Sequence, residues 1–180
     1  MKIESLQKLA SQPSARHYAS LINIKNSIAT WTNGFSMFQL TIPSVPFGDG
    51  VFTKDLLPAH SQYPAYDSVI PTDLVELPHH SLWLSKALTW SEAFKTSMAG
   101  KYCIAISDMG ASMYPVDTNV DAIATCSKFS CEQLQLLAGL CKANKILVGS
   151  LTAYRSKNDD KCWIIKNSEG TFRAVLMGIK

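Results

Sequence analysis

The sequence predicts an α+β protein. Three observations carry that prediction: apolar residues at helical spacing in three separated stretches, short β-branched and aromatic runs between turn dipeptides, and an order of one helix then three strands near both ends of the chain. With 180 residues, 47% of them hydrophobic and 17% charged, folding removes about 70% of the unfolded chain's surface from water. That composition excludes a disordered tail, a collagen-like repeat and a dense disulfide scaffold.

A first helix is expected over 3–11, where Ile3, Leu6, Leu9 and Ala10 share one face, and Gln12-Pro13-Ser14 stops it. Strands follow over 17–24, 27–32 and 35–42, separated by Lys25-Asn26 and Asn33-Gly34. Asn-Gly is the strongest short hairpin signal, because both residues of that turn take positive φ. Pro43 and Pro46 end this meander, and 51–53 is a further short strand. Residues 58–80 contain Pro58, Pro64, Pro71 and Pro78 and read as a long ordered loop or insertion. The second helix is expected over 81–98, with Trp83, Ala87, Trp90, Phe94 and Met98 as its apolar stripe and Gly100 just past its end. Strands at 102–107 and 112–116 flank Asp108-Met109-Gly110.

The third helix has the clearest start. Ser130 and Gln133 fit a capping box ahead of Leu134, Leu136, Leu137, Leu140 and Cys141, and Asn144 closes it. Strands at 146–154, 162–166 and 171–177 complete the chain, with polar turns at 156–160 and 167–170. One order of elements thus occurs in a first unit over 1–57 and a second over 127–180, around an insertion and middle segment at 58–126, all within a single domain. Coincidence is the competing account, since many small α+β domains share such an order.

Chemistry is harder to find. No apolar leader opens the chain, and the longest uncharged run, 26–48, is too polar to span a bilayer; a cytoplasmic protein without a membrane partner is expected. Five cysteines, at 103, 126, 131, 141 and 162, have neither CxxC spacing nor a histidine pair nearby and read as buried thiols. His17, His60, His79 and His80 fit no metal-ligand spacing, so neither a metal nor a cofactor is expected. No nucleophile elbow, Walker loop or dinucleotide fingerprint occurs, and no catalytic residue is assigned. Charge is uneven: residues 1–90 are neutral, whereas 139–180 carry eight basic and three acidic side chains.

A family resemblance draws these pieces together. Arg16-His17-Tyr18-Ala19-Ser20-Leu21-Ile22, followed by Thr32-Asn33-Gly34-Phe35-Ser36-Met37, resembles the bacterial DNA polymerase sliding clamp, in which an arginine-aromatic strand leads into a T-D-G-h-R-L turn. Residues 48–57 resemble the strand and helix start that come next there. Phe129–Cys141 resembles the helix of the last clamp unit, and Arg173–Lys180 its terminal strand, which ends in M-P-M-R in the family. The resemblance covers 1–57 and 127–180. Asn33 stands for the family aspartate, Ser36 for the arginine and Gly178 for the proline, and 58–126 has no counterpart.

The resemblance implies a clamp-like α+β fold and a non-enzymatic protein that binds duplex DNA and replication partners, as a homo-oligomeric ring where it encircles DNA. Helix lysines Lys2, Lys8, Lys142 and Lys145 would face phosphates without reading bases. An apolar pocket for short peptide motifs of replication proteins would lie beside Met177 and Ile179. Two other classes stay open. One is an interaction module with this fold but no DNA function, using Trp83, Trp90 and Phe94 or a C-terminal groove. The other is a small-molecule enzyme with 58–80 as its lid.

Overall fold

The computed structural model describes residues 2–43, 48–94, 100–107, 109–117, 127–158 and 162–178. Helix α1 (Glu4–Ala10) buries Leu6, Leu9 and Ala10, the face expected from their spacing. The strand expected from residue 17 instead opens as a 3₁₀ turn, His17–Ser20. Trp31 Nε1 donates to Ala19 O at 2.7 Å and Ser20 Oγ donates to His17 O at 2.7 Å, so the carbonyls that a ladder would use are already engaged. Strands β1 (Leu21–Lys25), β2 (Ile28–Thr32) and β3 (Ser36–Thr41) form the first meander. The turn with two positive φ values is Asn26-Ser27, at 51° and 61°; at Asn33-Gly34 only Gly34 is positive, at 87°.

A second meander, β9 (Leu151–Ser156), β10 (Cys162–Asn167) and β11 (Phe172–Met177), pairs with the first through β3 and β11, from Leu40↔Phe172 to Ser36↔Leu176. Two short strands flank them, β4 (Gly50–Thr53) and β5 (Leu74–Glu76), giving one eight-stranded antiparallel sheet in the order β4-β1-β2-β3-β11-β10-β9-β5. The 58–80 stretch is therefore more than a loop: it supplies β5 and the first turn of the next helix. A smaller sheet has the order β7-β6-β8, with β6 (Tyr102–Ser107), β7 (Gly110–Pro115) and β8 (Ser127–Ser130). Strand β8 has too few residues and too little apolar content to announce itself in sequence.

Helix α2 (Pro78–Ala93) starts earlier than expected, with proline at its first turn, and buries His80, Leu84, Ala87, Leu88 and Ser91. The stripe expected from Trp83, Trp90 and Phe94 is thus corrected: the two tryptophans flank the core half-buried, and Phe94 is the C-cap residue. Ala87 of the expected stripe is buried, together with Leu84 and Leu88, and the next helix, α3, is Cys131–Ala143, which packs against α2. Met98 lies outside the described residues. Ser130 and Gln133 form the expected capping box; Cys103, Cys131, Cys141 and Cys162 are buried, and Cys126 lies outside the described residues.

The core lies on both faces of the large sheet. Phe38, Leu40, Trp163, Ile165, Ala174 and Leu176 point toward the helices, in the main cluster. Their neighbours Met37, Cys162, Ile164 and Val175 form a second cluster on the opposite face, covered by Tyr66, Ile70 and Leu74. Tyr63 Oη donates to Thr30 O at 3.0 Å and Asn23 Nδ2 donates to Tyr66 Oη at 2.9 Å, which fixes the cover to the sheet. Burial pushes the Tyr63 phenol well above its ordinary pKa, so it remains a donor.

Candidate functional site

At the junction of the two meanders, on the face away from the helices, lies a groove of about 410 Å³. Its walls are the Thr32–Met37 turn, the β11 residues Val175 and Met177, and the Pro64–Tyr66 cover, with Cys162 contributing from β10. Among the described residues, none that lines it carries a charged side chain. The groove is suited to an apolar side chain held by shape and desolvation.

The turn is rigid because its polar groups satisfy one another. Asn33 Oδ1 accepts from the backbone N–H of Phe35 at 3.0 Å and of Ser36 at 2.8 Å. Thr32 Oγ1 accepts from Gly34 N at 3.0 Å and donates to Ser36 O at 2.9 Å. Asn33 thereby supplies the oxygen acceptor that an aspartate would supply. Glycine is required at 34: φ is +87° and a Cβ there would overlap the Arg16 guanidinium. That guanidinium donates to Asn33 O and Tyr18 Oη, each at 3.0 Å, and lies 4.4 Å from the centroid of the Phe35 ring. Phe35 is 55% exposed and forms the groove's outer lip. Ser36 is buried with an Oγ that has no hydrogen-bond partner among the described residues.

Gln133 links this turn to β11. Its Oε1 accepts from Ser130 N at 3.0 Å, as a capping box requires, while Nε2 donates to Phe35 O at 3.2 Å and Met177 O at 2.9 Å. Met177 N also donates to Phe35 O at 2.9 Å. Sequence patterning identifies only the capping half of this role. The other half joins residues 35, 133 and 177, which have no local relation in the chain.

Lys2, Lys8, Lys142 and Lys145 are exposed, but only Lys8 and Lys142 lie within helices; Lys2 precedes α1 and Lys145 follows the C-cap of α3. Lys2 N donates to Asn144 Oδ1 at 2.8 Å, and Asn144 Nδ2 donates to Ser5 Oγ at 3.0 Å. These bonds draw the start of α1 to the end of α3, so Lys2, Lys142 and Lys145 share one corner. Lys8 lies in the last turn of α1, apart from them. None of the four amines has an ion-pair partner among the described residues. Lys8 and Lys142 also sit where a helix C-terminus favours a cation, a purely structural reason for their presence.

Trp83 and Trp90 share Lys86, whose Nζ is 5.4 Å and 4.7 Å from their ring centroids. Phe94 packs on Tyr102 at 5.1 Å between centroids. These aromatics are remote from the groove, which Met177 lines. Ile179 lies outside the described residues. No helix among the described residues is long and apolar enough to cross a membrane.

No protein-family model matches the sequence, and no curated protein matches it. Solved structures are similar in fold. The sliding clamp (DNA polymerase III subunit beta) of Bartonella birtlesii, bound to griselimycin, superposes with a TM-score of 0.61 at 13% identity, over 99% of this chain and 63% of that one. The Caulobacter crescentus clamp gives 0.60 at 12% identity, over 99% and 62%. The DNA polymerase III subunit beta of Pseudomonas aeruginosa gives 0.58 at 11%, over 99% and 62%. The chain has the sliding-clamp fold and spans less than two thirds of the length of these clamps. The likeness extends through 58–126, which the sequence comparison left without a counterpart.

Proposed function

We propose that this protein is a non-enzymatic, clamp-like replication factor of the cytoplasm. In this reading it docks short apolar peptide segments in the groove beside Phe35 and Met177 and contacts duplex DNA through Lys2, Lys8, Lys142 and Lys145. The observation that carries the reading is convergence: the turn and the β11 strand that resemble the clamp family in sequence are two walls of one groove, with no charged side chain among its described lining residues. The DNA part rests on fewer groups. Four phosphate contacts would give log K against log salt a slope of about −3 to −4. Encirclement by this 180-residue unit would need further copies of the fold around the DNA.

Two measurements test these parts separately. Retention on closed circular DNA, lost on linearisation, supports encirclement, and low-salt binding that weakens with salt supports the lysine contacts; no binding to either form at low salt refutes the DNA role. Griselimycin, the ligand of the Bartonella birtlesii clamp, serves as the groove probe. Binding abolished by Val175→Lys in a folded protein supports peptide docking, and binding indifferent to that change refutes it. A second reading, an interaction module without DNA binding, is favoured by the contrast between a well-formed groove and a sparse lysine set. It predicts griselimycin binding with no DNA retention.

A further inference from the structure

Side chains alternate across the large sheet, so residues in step with Met37, Ile164 and Val175 lie on its outer face, away from the helices. Strand pairing sets Asn23, Thr30, Gln39, Arg173, Lys166 and Thr152 in one row across that face. Among the described residues, Arg173 and Lys166 are the one pair of cations directly opposed in a sheet. Like charges so placed destabilise a sheet, with side chains only about 4.5–5.5 Å apart at Cβ. The ion pairs among the described residues are Lys25–Asp67 and Lys54–Asp55, so a carboxylate neutralises neither cation. Their contacts are neutral instead. Arg173 Nη1 donates to Gln39 Oε1 at 3.3 Å, Gln39 Nε2 donates to Thr30 Oγ1 at 3.3 Å, and Lys166 Nζ lies 5.0 Å from the centroid of the Tyr154 ring. Burial, and then Arg173, push the Lys166 amine below its ordinary pKa.

We propose that Lys166 and Arg173, with Thr152 beside them, bind the phosphoryl group of a small phosphate monoester on the outer face of the large sheet. Charge selects that ligand. A carboxylate brings one negative charge and two oxygens, whereas a phosphate monoester brings about −1.5 to −2 and three acceptor oxygens. The row offers two cations and a hydroxyl, one donor group for each oxygen. Arg173 is held on its β3 side by Gln39, which leaves the rest of its planar fork for two parallel bonds to the anion, and Lys166 adds a point charge. A nucleic-acid backbone fits less well: it carries one charge per phosphate and calls for cations repeated along its path, but the row continues through the neutral Gln39, Thr30 and Asn23. Neither cation lines the groove beside Met177. The pair also gives a use to part of the basic surplus over 139–180, which the helix lysines leave unexplained.

This inference is independent of DNA and peptide binding, which have their own assays above. Titration of the full chain with methyl phosphate at constant ionic strength tests it, followed by NMR at the Arg173 side-chain Nε–H. A saturable shift is expected, with inorganic phosphate binding within about threefold and dimethyl phosphate, a monoanion, about tenfold or more weaker. Lys166→Gln and Arg173→Gln should each weaken methyl phosphate binding about tenfold or more, while Lys101→Gln, at an exposed lysine before β6, should leave it unchanged. Both site variants should keep their circular dichroism, because each removes one of two opposed like charges. Methyl phosphate should raise the Tm of the wild type and leave that of either site variant unmoved, which a purely structural role for these side chains would not produce. The proposal is overturned by any of four results: no saturable shift, equal binding of dimethyl phosphate, binding of inorganic phosphate with methyl phosphate excluded, or site variants that bind as the wild type does. Displacement of methyl phosphate by a duplex without terminal phosphates would overturn it too, by assigning the site to a nucleic-acid backbone.

Discussion

Replacing Gln133 by Glu separates the two roles of this side chain. A capping box accepts Glu as readily as Gln, so helix α3 taken alone predicts almost no change. The tertiary contacts predict otherwise. Nε2 donates to Phe35 O at 3.2 Å and to Met177 O at 2.9 Å, and Gln133 is 5% exposed. A carboxylate would lose both bonds, at about 1 kcal/mol each, and bring a poorly hydrated charge against two carbonyl oxygens, for a further 1–3 kcal/mol or so. The expected loss is about 3–5 kcal/mol, a fall in Tm of about 10 °C. Urea and thermal unfolding, followed by circular dichroism, measure it. The pH dependence gives a second check. The folded environment raises the new carboxyl above the ordinary value of about 4.3, so the penalty is full above the folded pKa and shrinks as pH falls toward about 4. A Glu variant within about 0.5 kcal/mol of wild type at neutral pH would show that Gln133 acts only as a helix cap.

Other perturbations probe the same neighbourhood and the core. Gly34→Ala should destabilise by about 1–3 kcal/mol in urea titration, because it forces positive φ on alanine and displaces Arg16; an unchanged midpoint would contradict the described turn. Asn33→Ala should cost about 1–2 kcal/mol by stranding two backbone donors, whereas Asn33→Asp should stay near wild type, since the carboxylate keeps the acceptor. Burial, with a smaller contribution from Cys103, pushes the Cys131 thiol up to about 11; burial and Glu92 push Cys141 up to about 12. Their folded pKa values exceed the unfolded ones, so stability should fall as pH rises above about 9, by up to about 1.4 kcal/mol per pH unit for each thiol. Cys141→Ala should flatten that alkaline fall even as it lowers stability overall.

The legible parts of the fold were those with local causes. Ser130 and Gln133 announced α3 because a capping box is complete within four residues. The spacing of Leu6, Leu9 and Ala10 gave the buried face of α1. Strand β5 was hidden because its three residues are held by pairing with β9 rather than by propensity. The face of α2 is legible only in part: Ala87 of the expected stripe is buried, but the buried face turns toward His80, Leu84, Leu88 and Ser91, and the two tryptophans flank it half-buried.

The sequence by itself determined the α+β class, the helix stops and the turn chemistry around Asn33-Gly34, since each depends on backbone preferences a few residues long. It also pointed to the turn and the terminal strand as related to clamps. Only the tertiary structure decided that these two segments are walls of one groove, that the 58–80 stretch covers the outer sheet face, and that Gln133 bonds to both walls. Those facts depend on β3 pairing with β11 across 134 residues from Gln39 to Arg173, and a contact at that separation leaves no local pattern for a sequence to display.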